Sequence, residues 1–262
     1  MSIVGENYYL WYLEPVACMP TILVTGSSRG IGRAIAERFG SEGYDVAVNY
    51  RTSEDRAAEV VDRIESQGRR AVALQADVSD PEEAAGLVER ANSELGGLDH
   101  VVNNAGINQH KHTEELTPEE FNRMLEVNTQ GTFAVSKAAL PYLRDSSTDE
   151  CPSIINLSSI LAFSGAAFEP HYATSKMGVV ALTRSHAVEF APDVRVNALA
   201  PGHIDTDMTD WLPPEREEEK LAEIPVGRFG HPEDVAQAAS YLRDADFVTG
   251  ETIHINGGEL MC

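Results

Sequence analysis

Short apolar runs alternate with helix-length amphipathic segments from Thr21 to the end of the chain. Seven runs of five or six residues are rich in aliphatic side chains and lie at 21–25, 45–50, 71–75, 99–104, 153–158, 194–199 and 251–256. Such runs, separated by helical patterns, indicate βα units and a parallel sheet. Connections between parallel strands are right-handed and carry helices over both faces. The sequence therefore predicts an α/β fold, a single doubly wound domain whose seven-stranded parallel sheet has helices on both faces.

Capping motifs mark where three of the helices begin. Residues 79–82 (Ser-Asp-Pro-Glu) and 117–120 (Thr-Pro-Glu-Glu) each place a Glu three residues after a hydroxyl side chain, with Pro at the helix start. Residues 231–234 (His-Pro-Glu-Asp) open the last helix in a similar way. Residues 1–18 show no such pattern. We expect them to lie outside the core fold, either as a loose extension or because Met19 is the working initiator, and we expect one domain over 19–262.

The charge balance is strongly acidic, with 42 Asp and Glu against 20 Lys and Arg and a formal net charge of −22. Nucleic-acid-binding surfaces are usually basic, and an acidic surface repels phosphate backbones and anionic membranes. No apolar run approaches the roughly 20 residues of a membrane-spanning helix. We therefore expect neither a nucleic acid nor a membrane as partner. One interpretation of the acids is adaptation to high salt, where screening weakens self-repulsion; an ordinarily acidic cytosolic protein is the alternative.

Cysteine is rare, and its three positions are Cys18, Cys151 and Cys262. An odd, scattered set matches neither a disulfide framework nor a zinc-ligand spacing. Free thiols are typical of a reducing cytosol. We therefore expect a cytoplasmic protein with no bound metal.

A glycine-rich turn follows the first apolar run. Residues 25–32 read Thr-Gly-Ser-Ser-Arg-Gly-Ile-Gly and lead into a helical pattern. Glycine allows a tight turn and close approach of the backbone to a pyrophosphate, while the helix N-terminus supplies free N–H groups and positive dipole character. The spacing is G-x-x-x-G-x-G rather than G-x-G-x-x-G, and a merely flexible loop is the alternative. In its strand–turn–helix context, the turn predicts a dinucleotide-binding Rossmann domain.

The end of the second run favours a phosphorylated dinucleotide. An acid there would bind the adenosine ribose of NAD, but the run ends Asn49-Tyr50-Arg51. Arg51 and Arg29 of the glycine turn would place two guanidinium groups near the ribose hydroxyl, and Arg binds phosphate with bidentate hydrogen bonds. Two solvated arginines are the alternative. We therefore expect NADP(H) rather than NAD(H).

A tyrosine and a lysine lie four residues apart at Tyr172 and Lys176. On a helix, both side chains would share a face. A phenol with its ordinary pKa near 10 is a poor base at neutral pH, and a nearby ammonium lowers that pKa. Such a pair can exchange the proton when a carbonyl and an alcohol interconvert. An exposed helical pair without function is the alternative.

Three further motifs lie at the ends of predicted strands, where open α/β sheets bind ligands. They are residues 103–106 (Asn-Asn-Ala-Gly), 158–159 (Ser-Ser) and 201–202 (Pro-Gly). Small residues there allow close approach of a cofactor, and a serine hydroxyl can hydrogen-bond a carbonyl oxygen. Residues 126–131 (Glu-Val-Asn-Thr-Gln-Gly) place Asn128 in a helix, either as a buried helix residue or as a ligand of an ordered water.

Together with the glycine turn and the Tyr172–Lys176 pair, these motifs resemble the short-chain dehydrogenase/reductase family over about residues 21–261. In that family the catalytic serine precedes the tyrosine by 13 positions, which selects Ser159 over Ser158 here. The resemblance implies that Tyr172 is the general acid/base and that Ser159 orients and polarises the carbonyl. It also implies that Lys176 binds the nicotinamide ribose and lowers the phenol pKa, and that Asn128 anchors a proton-relay water.

The resemblance further implies that Asp77 and Val78 contact the adenine, and that Thr206 contacts the nicotinamide or phosphate side. Residues 19–262 would then form an NAD(P)-binding Rossmann catalytic domain. The full set of expected cofactor-binding residues is Gly26, Ser28, Arg29, Gly30, Ile31, Gly32, Asn49, Tyr50, Arg51, Asp77, Val78, Asn104, Ala105, Gly106, Tyr172, Lys176, Pro201, Gly202, Ile204 and Thr206.

Within the family, residues 227–236 and 248–258 are similar to segments of β-ketoacyl-acyl-carrier-protein reductases. This implies NADPH-dependent reduction of the β-keto group of a thioester, linked to acyl-carrier protein or to CoA. An NAD(P)-dependent alcohol or sugar dehydrogenase is the alternative, and a cofactor-binding regulator without chemistry is disfavoured by the complete set of four catalytic residues. The family also implies a homotetramer joined through the helices carrying Thr117 and Tyr172 and through the C-terminal strand.

Overall fold

The computed structural model describes residues 19–146, 148, 151–207 and 214–261, without the side chains of residues 214–216. The expected extension, 1–18, lies outside the described residues.

All strands of the described sheet are parallel and follow the spatial order β3-β2-β1-β4-β5-β6-β7. Their bounds are β1 (Thr21–Val24), β2 (Asp45–Tyr50), β3 (Ala71–Gln75), β4 (His100–Asn103), β5 (Ser153–Leu157), β6 (Arg195–Pro201) and β7 (Thr252–Ile255). Every residue of β1, β2, β4, β5 and β6 is buried, which is why these strands appear in the sequence as nearly continuous apolar runs. The predicted seven-stranded, doubly wound Rossmann sheet is confirmed.

Helices cover both faces of the sheet, as predicted. Their bounds within the described residues are α1 (Gly30–Ser41), α2 (Glu54–Ser66), α3 (Pro81–Leu95), α4 (Pro118–Leu125), a π-helical turn (Glu126–Gln130), α5 (Gly131–Arg144), α6 (Leu161–Ser164), α7 (Pro170–Phe190), α8 (Pro214–Glu223) and α9 (Pro232–Asp244). None of these helices combines the length and hydropathy that a membrane crossing requires.

Two apolar cores lie on the opposite faces of the sheet, and β1 shows how one strand serves both. Ile22 and Val24 enter the core beneath α1, α2 and α9, whereas Leu23 enters the core beneath α3, α5 and α7. Successive strand side chains point to opposite faces, so a buried strand needs apolar residues at every position. The alternating runs of the sequence therefore produce a three-layer domain.

The predicted caps are correct at two helices and displaced at one. Thr117 and Glu120 form a reciprocal capping box at α4. At α9, whose N-cap is His231, Asp234 Oδ2 accepts a hydrogen bond from the His231 N–H at 2.8 Å. At α3 the cap is Asp80, whose Oδ1 accepts hydrogen bonds from the N–H groups of the next two residues after Pro81. Ser79 was expected to cap this helix, but its hydroxyl donates to Asp77 instead, at 2.6 Å.

The strand order reverses between β1 and β4, and this reversal decides where a ligand can bind. After β1 the chain passes outward to β2 and β3, then crosses back to β4 and continues to β7. The loops at the carboxyl ends of β1 and β4 therefore diverge and leave a crevice between them, which is the usual ligand site of such sheets.

Candidate active site

The glycine turn between β1 and α1 is packed so closely that side chains do not fit. Gly26 has φ +61°, and a Cβ there would lie 2.8 Å from the Cα of Ala105. A Cβ at Gly32 would lie 2.4 Å from Asn104 Nδ2. Helix α1 begins at Gly30 with no side-chain cap on its first N–H groups. A backbone cradle with free N–H groups at a helix start suits a pyrophosphate.

Side chains from the residue after β1, from β2 and from the residue after β4 hold this turn. Asn49 Oδ1 accepts a hydrogen bond from Gly26 N at 3.0 Å. Asn104 Nδ2 donates to the carbonyl oxygens of Thr25 and Gly26, both at 3.0 Å. Thr25 Oγ1 in turn accepts from the N–H groups of Asn104 and Ala105. The turn is therefore a rigid structure, and the interpretation as a flexible loop is wrong.

A cavity of about 550 Å³ opens at the carboxyl ends of the strands, over this turn. The predicted cofactor residues that line it are Gly26, Ser28, Arg29, Gly30, Ile31, Gly32, Asn49, Tyr50, Arg51, Asp77, Val78, Asn104, Ala105, Gly106 and Thr206. The lining also includes residues that sequence reasoning missed, namely Thr52, Ser53, Ala76, Ile107, Asn108, His110, Val127 and Asp207. Several of these residues follow the end of a predicted strand, and this position in the sequence could have identified them as lining a ligand site.

The two arginines predicted to bind a 2′-phosphate both reach this cavity, and each has an acidic neighbour. Arg29 Nη1 lies 3.5 Å from Asp207 Oδ2, and Arg51 Nη1 lies 3.7 Å from Asp77 Oδ2. Arg56, which the sequence did not single out, lies closer to Asp207, at 2.7 Å. These arginine side chains are more than half exposed, so the pairs are weak. The guanidinium groups thus stay accessible to an anion.

Asp77 stays ionised despite its position. Its partial burial raises the pKa. Hydrogen bonds from the Ser79 side chain and backbone lower the pKa, as do the nearby charges of Arg123 and Arg51, and together they outweigh the effect of burial. The net result is a pKa below the ordinary aspartate value. Asp77 therefore brings a fixed negative charge to the edge of the cavity.

Tyr172 and Lys176 lie on α7, one turn apart, and the lysine is held by a strand. Lys176 Nζ donates to the carbonyl oxygen of Leu157 at 2.8 Å and lies 5.8 Å from the Tyr172 ring centroid. The lysine is 5% exposed. This burial lowers the pKa of Lys176 to about 8. The interpretation as an exposed helical pair is therefore wrong.

The Tyr172 phenol is not acidified in this arrangement. Burial of the phenol is the main cause that raises the pKa of Tyr172 to about 12; the Glu169 carboxylate raises it too, and a hydrogen bond with Ser159 opposes them. Lys176 is not among the causes of this shift, so the expectation that Lys176 lowers the phenol pKa stays a prediction. Desolvation penalises the phenolate more than the neighbouring groups stabilise it.

The two adjacent serines have different roles. Ser159 lies near enough to the Tyr172 phenol to lower its pKa, whereas Ser158 Oγ donates to the backbone carbonyl of Lys176 at 2.9 Å. The position of Ser159 thus agrees with the spacing argument. Ser158 helps to hold α7 against the end of β5.

Asn128 lies in the π-helical turn, is fully buried, and joins helix α7 to the cavity wall at Ile107. Its Oδ1 accepts from the Ile107 N–H at 2.9 Å, and its Nδ2 donates to the Ile107 carbonyl and to Ser175 Oγ, both at 3.0 Å. A Cβ placed on Gly106 would lie 3.2 Å from Asn128 Oδ1 and 3.4 Å from Lys176 Nζ. Both groups therefore lie just behind the cavity-lining backbone at Gly106.

The loop after β6 contributes less than expected to the cavity lining. Thr206 lies opposite the turn, with its Cγ2 3.5 Å from where a Gly30 Cβ would be. Pro201, Gly202 and Ile204 are not part of the lining. Ile204 is buried in the core, and Gly202 is packed against Glu259, whose Oε2 would lie 2.7 Å from a Cβ. Tyr172 and Lys176, which were also expected to bind the cofactor, are not part of the lining either. A role in cofactor binding stays a prediction for all five residues.

The described residues contain no group of three or more His, Cys, Asp or Glu side chains that could hold a metal ion. The polar groups near Gly106 and the end of β5 are a phenol, an ammonium, a hydroxyl and a carboxamide. They lie beside a cradle that suits a dinucleotide.

The fold and this site define a dinucleotide-binding α/β protein. A family model described as enoyl-(acyl carrier protein) reductase matches residues 26–259. The 3-oxoacyl-[acyl-carrier-protein] reductase FabG of Staphylococcus aureus is 42% identical over 91% of this chain and 97% of its own length. The 3beta-hydroxysteroid dehydrogenase 1 of Eggerthella lenta is also 42% identical, over 91% of this chain and 92% of its own.

A solved structure agrees with these relatives. A short chain dehydrogenase from Burkholderia cenocepacia in complex with NADP is 34% identical, with a TM-score of 0.84 over 92% of this chain and 97% of that one. The chain belongs to the short-chain dehydrogenase/reductase family and is an oxidoreductase of that family. The resemblance noted in the sequence is thereby confirmed.

Proposed function

We propose that this protein uses NADPH to reduce the β-keto group of a 3-oxoacyl thioester, carried by acyl-carrier protein or CoA, to a hydroxyl. The observation that carries this chemistry is the position of Tyr172 on α7, one turn before the buried Lys176, whose Nζ donates to the Leu157 carbonyl. A phenol is protonated at neutral pH and can donate its proton to a carbonyl oxygen. The 42% identity to a 3-oxoacyl-[acyl-carrier-protein] reductase supports this substrate class.

The cavity residues fit a phosphorylated nicotinamide dinucleotide. The cradle at Gly26 and Gly32, where side chains do not fit, and the uncapped start of α1 suit the pyrophosphate. Arg29 and Arg51 would bind the 2′-phosphate, with Asp77 and Val78 on the adenine side. The related NADP complex supports the choice of NADP(H). When bound, the cofactor supplies the hydride.

The chain's own residues handle the proton and the carbonyl. Tyr172 donates its phenol proton to the substrate oxygen, and Ser159, which lies near the phenol, orients and polarises that oxygen. Lys176 would bind the nicotinamide ribose behind Gly106. Asn128, fixed by three hydrogen bonds to its neighbours, would anchor the water that returns a proton to the site.

A substrate panel tests this proposal. The wild-type protein is assayed with acetoacetyl thioesters, sugars and simple alcohols, using both NADPH and NADH. We expect the highest kcat/KM with NADPH and an acetoacetyl thioester. We also expect Tyr172→Phe to bind NADPH normally while its turnover collapses. Unchanged turnover in Tyr172→Phe contradicts the mechanism, and faster turnover of sugars or alcohols contradicts the substrate.

An NAD(P)-dependent alcohol or sugar dehydrogenase is the second candidate. The observation in its favour is the 3beta-hydroxysteroid dehydrogenase relative, which is as similar to this chain as the 3-oxoacyl reductase. In this case oxidation of a secondary alcohol would exceed reduction of the thioester in the same panel. A cofactor-binding regulator would instead bind NADPH and turn over nothing.

We also propose a cytoplasmic homotetramer. Phe133 on α5 and Met177 and Val188 on α7 are exposed apolar side chains, on helices through which the family resemblance implies subunit contacts. Burying such side chains between subunits would remove apolar surface from water. Analytical ultracentrifugation is expected to give four times the chain mass. A monomer at micromolar concentration contradicts this proposal.

A further inference from the structure

A buried carboxylate lies at the start of the catalytic helix and is not used by the proposed chemistry. Glu169 is the N-cap of α7, three residues before Tyr172, and its side chain is 6% exposed. Its Oε1 accepts a hydrogen bond from Asn108 Nδ2 at 3.0 Å and lies 2.6 Å from His110 Nδ1. Buried carboxylates are rare unless they are paired in this way.

Both partners of Glu169 belong to the wall of the cavity. Asn108 and His110 follow β4 and line the same cavity as the glycine turn. Glu169 therefore connects the cavity wall directly to the first turn of the helix that carries Tyr172. Neither partner is close to Glu169 in the sequence, so the connection exists only in the folded chain.

The neighbouring residue strengthens the same connection. The Phe168 carbonyl accepts a hydrogen bond from the Lys111 N–H at 2.6 Å, and the Phe168 ring packs edge-on against His112, with the ring centroids 4.3 Å apart. Phe168 has φ +67°, the one left-handed backbone among the described non-glycine residues. Such a conformation is strained and persists where surrounding contacts enforce it. Residues 108–112 and 168–169 thus form a defined junction.

We propose that Glu169 is a positioning residue of this site: it fastens the first turn of α7, and with it Tyr172, to the cavity wall at Asn108 and His110, and it places a negative charge beside the phenol. This inference rests on the proposed function, because it takes Tyr172 as the proton donor. It adds to that function the residue that holds Tyr172 in position and influences the pKa of its phenol.

The other charged groups around the junction do not duplicate this charge. His171 and Lys176 are on α7 itself; His110 and Lys111 come from the loop after β4, and Glu120 comes from α4. Lys111 Nζ lies 2.7 Å from both carboxylate oxygens of Glu120, so those two charges offset each other. Glu169 is the carboxylate whose charge raises the Tyr172 pKa, after burial.

Two substitutions separate the fastening from the charge. Glu169→Gln keeps an oxygen that can accept from Asn108 but removes the charge, whereas Glu169→Ala removes both. Glu189→Gln is the matched control, because Glu189 lies exposed near the far end of the same helix. Glu169→Asp tests whether a shorter carboxylate restores the effect.

Kinetics measure both parts of the proposal. A shift of about 1 Å in a catalytic group can cost roughly 100-fold in rate, so we expect Glu169→Ala to lower kcat by roughly 10- to 100-fold, with NADPH affinity within about threefold. For Glu169→Gln, removing a negative charge lowers the phenol pKa. The rising limb of kcat/KM for alcohol oxidation should therefore lie at lower pH than in the wild-type protein. Glu169→Asp should keep the wild-type limb.

Amide hydrogen exchange provides a readout that needs no turnover. Compared with the wild-type protein, the Glu169→Ala variant should show faster amide exchange both in residues 107–112 and in the first turn of α7. Exchange at the far end of α7 should be unchanged. The proposal is overturned if Glu169→Gln has the pH profile of Glu189→Gln, or if Glu169→Ala keeps wild-type kcat and exchange. A loss of thermal stability and NADPH binding together, without these changes, shows a merely structural role.

Failure of the proposed function is a separate result. It is read from the wild-type protein in the substrate panel, before any Glu169 variant is compared. If the wild type oxidises an alcohol but reduces no thioester, the pH profiles are measured with that alcohol. If the wild type turns over nothing, the proposed enzymatic function is refuted, and with it the role of Glu169 in positioning a proton donor. Hydrogen exchange then tests only whether Glu169 holds α7 against the cavity wall.

Discussion

Replacing Lys176 by Met should stabilise the protein while removing its activity. Burial lowers the pKa of Lys176 from 10.5 to about 8, which corresponds to about 3 kcal/mol of stability lost at pH 7. Met fills a similar volume without charge, but it leaves the Leu157 carbonyl without its donor, at a cost of about 1 kcal/mol. We therefore expect a net gain of about 2 kcal/mol, or roughly 4–8 °C in Tm for a chain of this size.

The pH dependence of this gain has a definite sign. Below about pH 8 Lys176 is charged in both the folded and the unfolded chain, so the cost of burying the charge is fully present. As the pH rises from 8 towards 10.5, the folded chain loses the proton first and the cost disappears. The stability advantage of Lys176→Met should therefore shrink over this interval.

Calorimetry at pH 7 and pH 10, without added cofactor, measures the effect. Lys137→Met is the control, because Lys137 is exposed on α5 and its replacement should change stability by less than about 0.5 kcal/mol. In the same samples, kcat/KM of Lys176→Met should fall by roughly 100- to 10,000-fold. The reasoning fails if Lys176→Met is less stable than the wild type at pH 7 while Lys137→Met is unchanged.

Four further predictions concern the cofactor cradle, the surface charge and the C-terminal segment. Arg51→Ala should weaken NADPH binding by roughly 10- to 100-fold, through loss of charged hydrogen bonds, and leave NADH binding unchanged; equal losses in fluorescence titrations of both cofactors contradict the 2′-phosphate role. Gly32→Ala should abolish binding of either cofactor, because the new Cβ would lie 2.4 Å from Asn104 Nδ2; normal binding refutes the close packing. Molar KCl should raise Tm by screening the net charge of −22, and equal Tm in dilute buffer counts against adaptation to salt. Glu259, buried beside Lys220, has a pKa lowered to about 2, since hydrogen bonds from His203 and Lys220 outweigh burial. Glu259→Gln should lose up to about 3 kcal/mol at pH 7, and this deficit should shrink in urea melts as the pH falls from 4.5 towards 2; a constant deficit refutes the ion pair.

Local patterns in the sequence predicted the architecture because they report backbone geometry. The βα alternation, the glycine turn and the Thr117 capping box each depend on residues within one turn or one strand. A buried parallel strand needs apolar side chains on both faces, and a tight turn against another strand end needs glycine. The displaced cap at Asp80 shows the limit, because the Ser79 hydroxyl is bonded to Asp77.

The chemistry of the site depended on contacts that the sequence does not display. Tyr172 and Lys176 were identified by their spacing, yet the direction of the Tyr172 pKa came from burial, which exceeds the effect of nearby charges. Desolvation is set by everything packed around a group, and those neighbours come from distant parts of the chain.

The junction at Glu169 is the clearest example. Asn108 and His110 lie some 60 residues earlier in the sequence and reach Glu169 only because β4 and β5 are neighbours in the sheet. In the same way, Gly202 proved to make room for Glu259. The sequence by itself determined the fold, the cradle and the identity of the reactive groups. Tertiary packing decided their protonation, orientation and partners, because electrostatics and close contact act through space rather than along the chain.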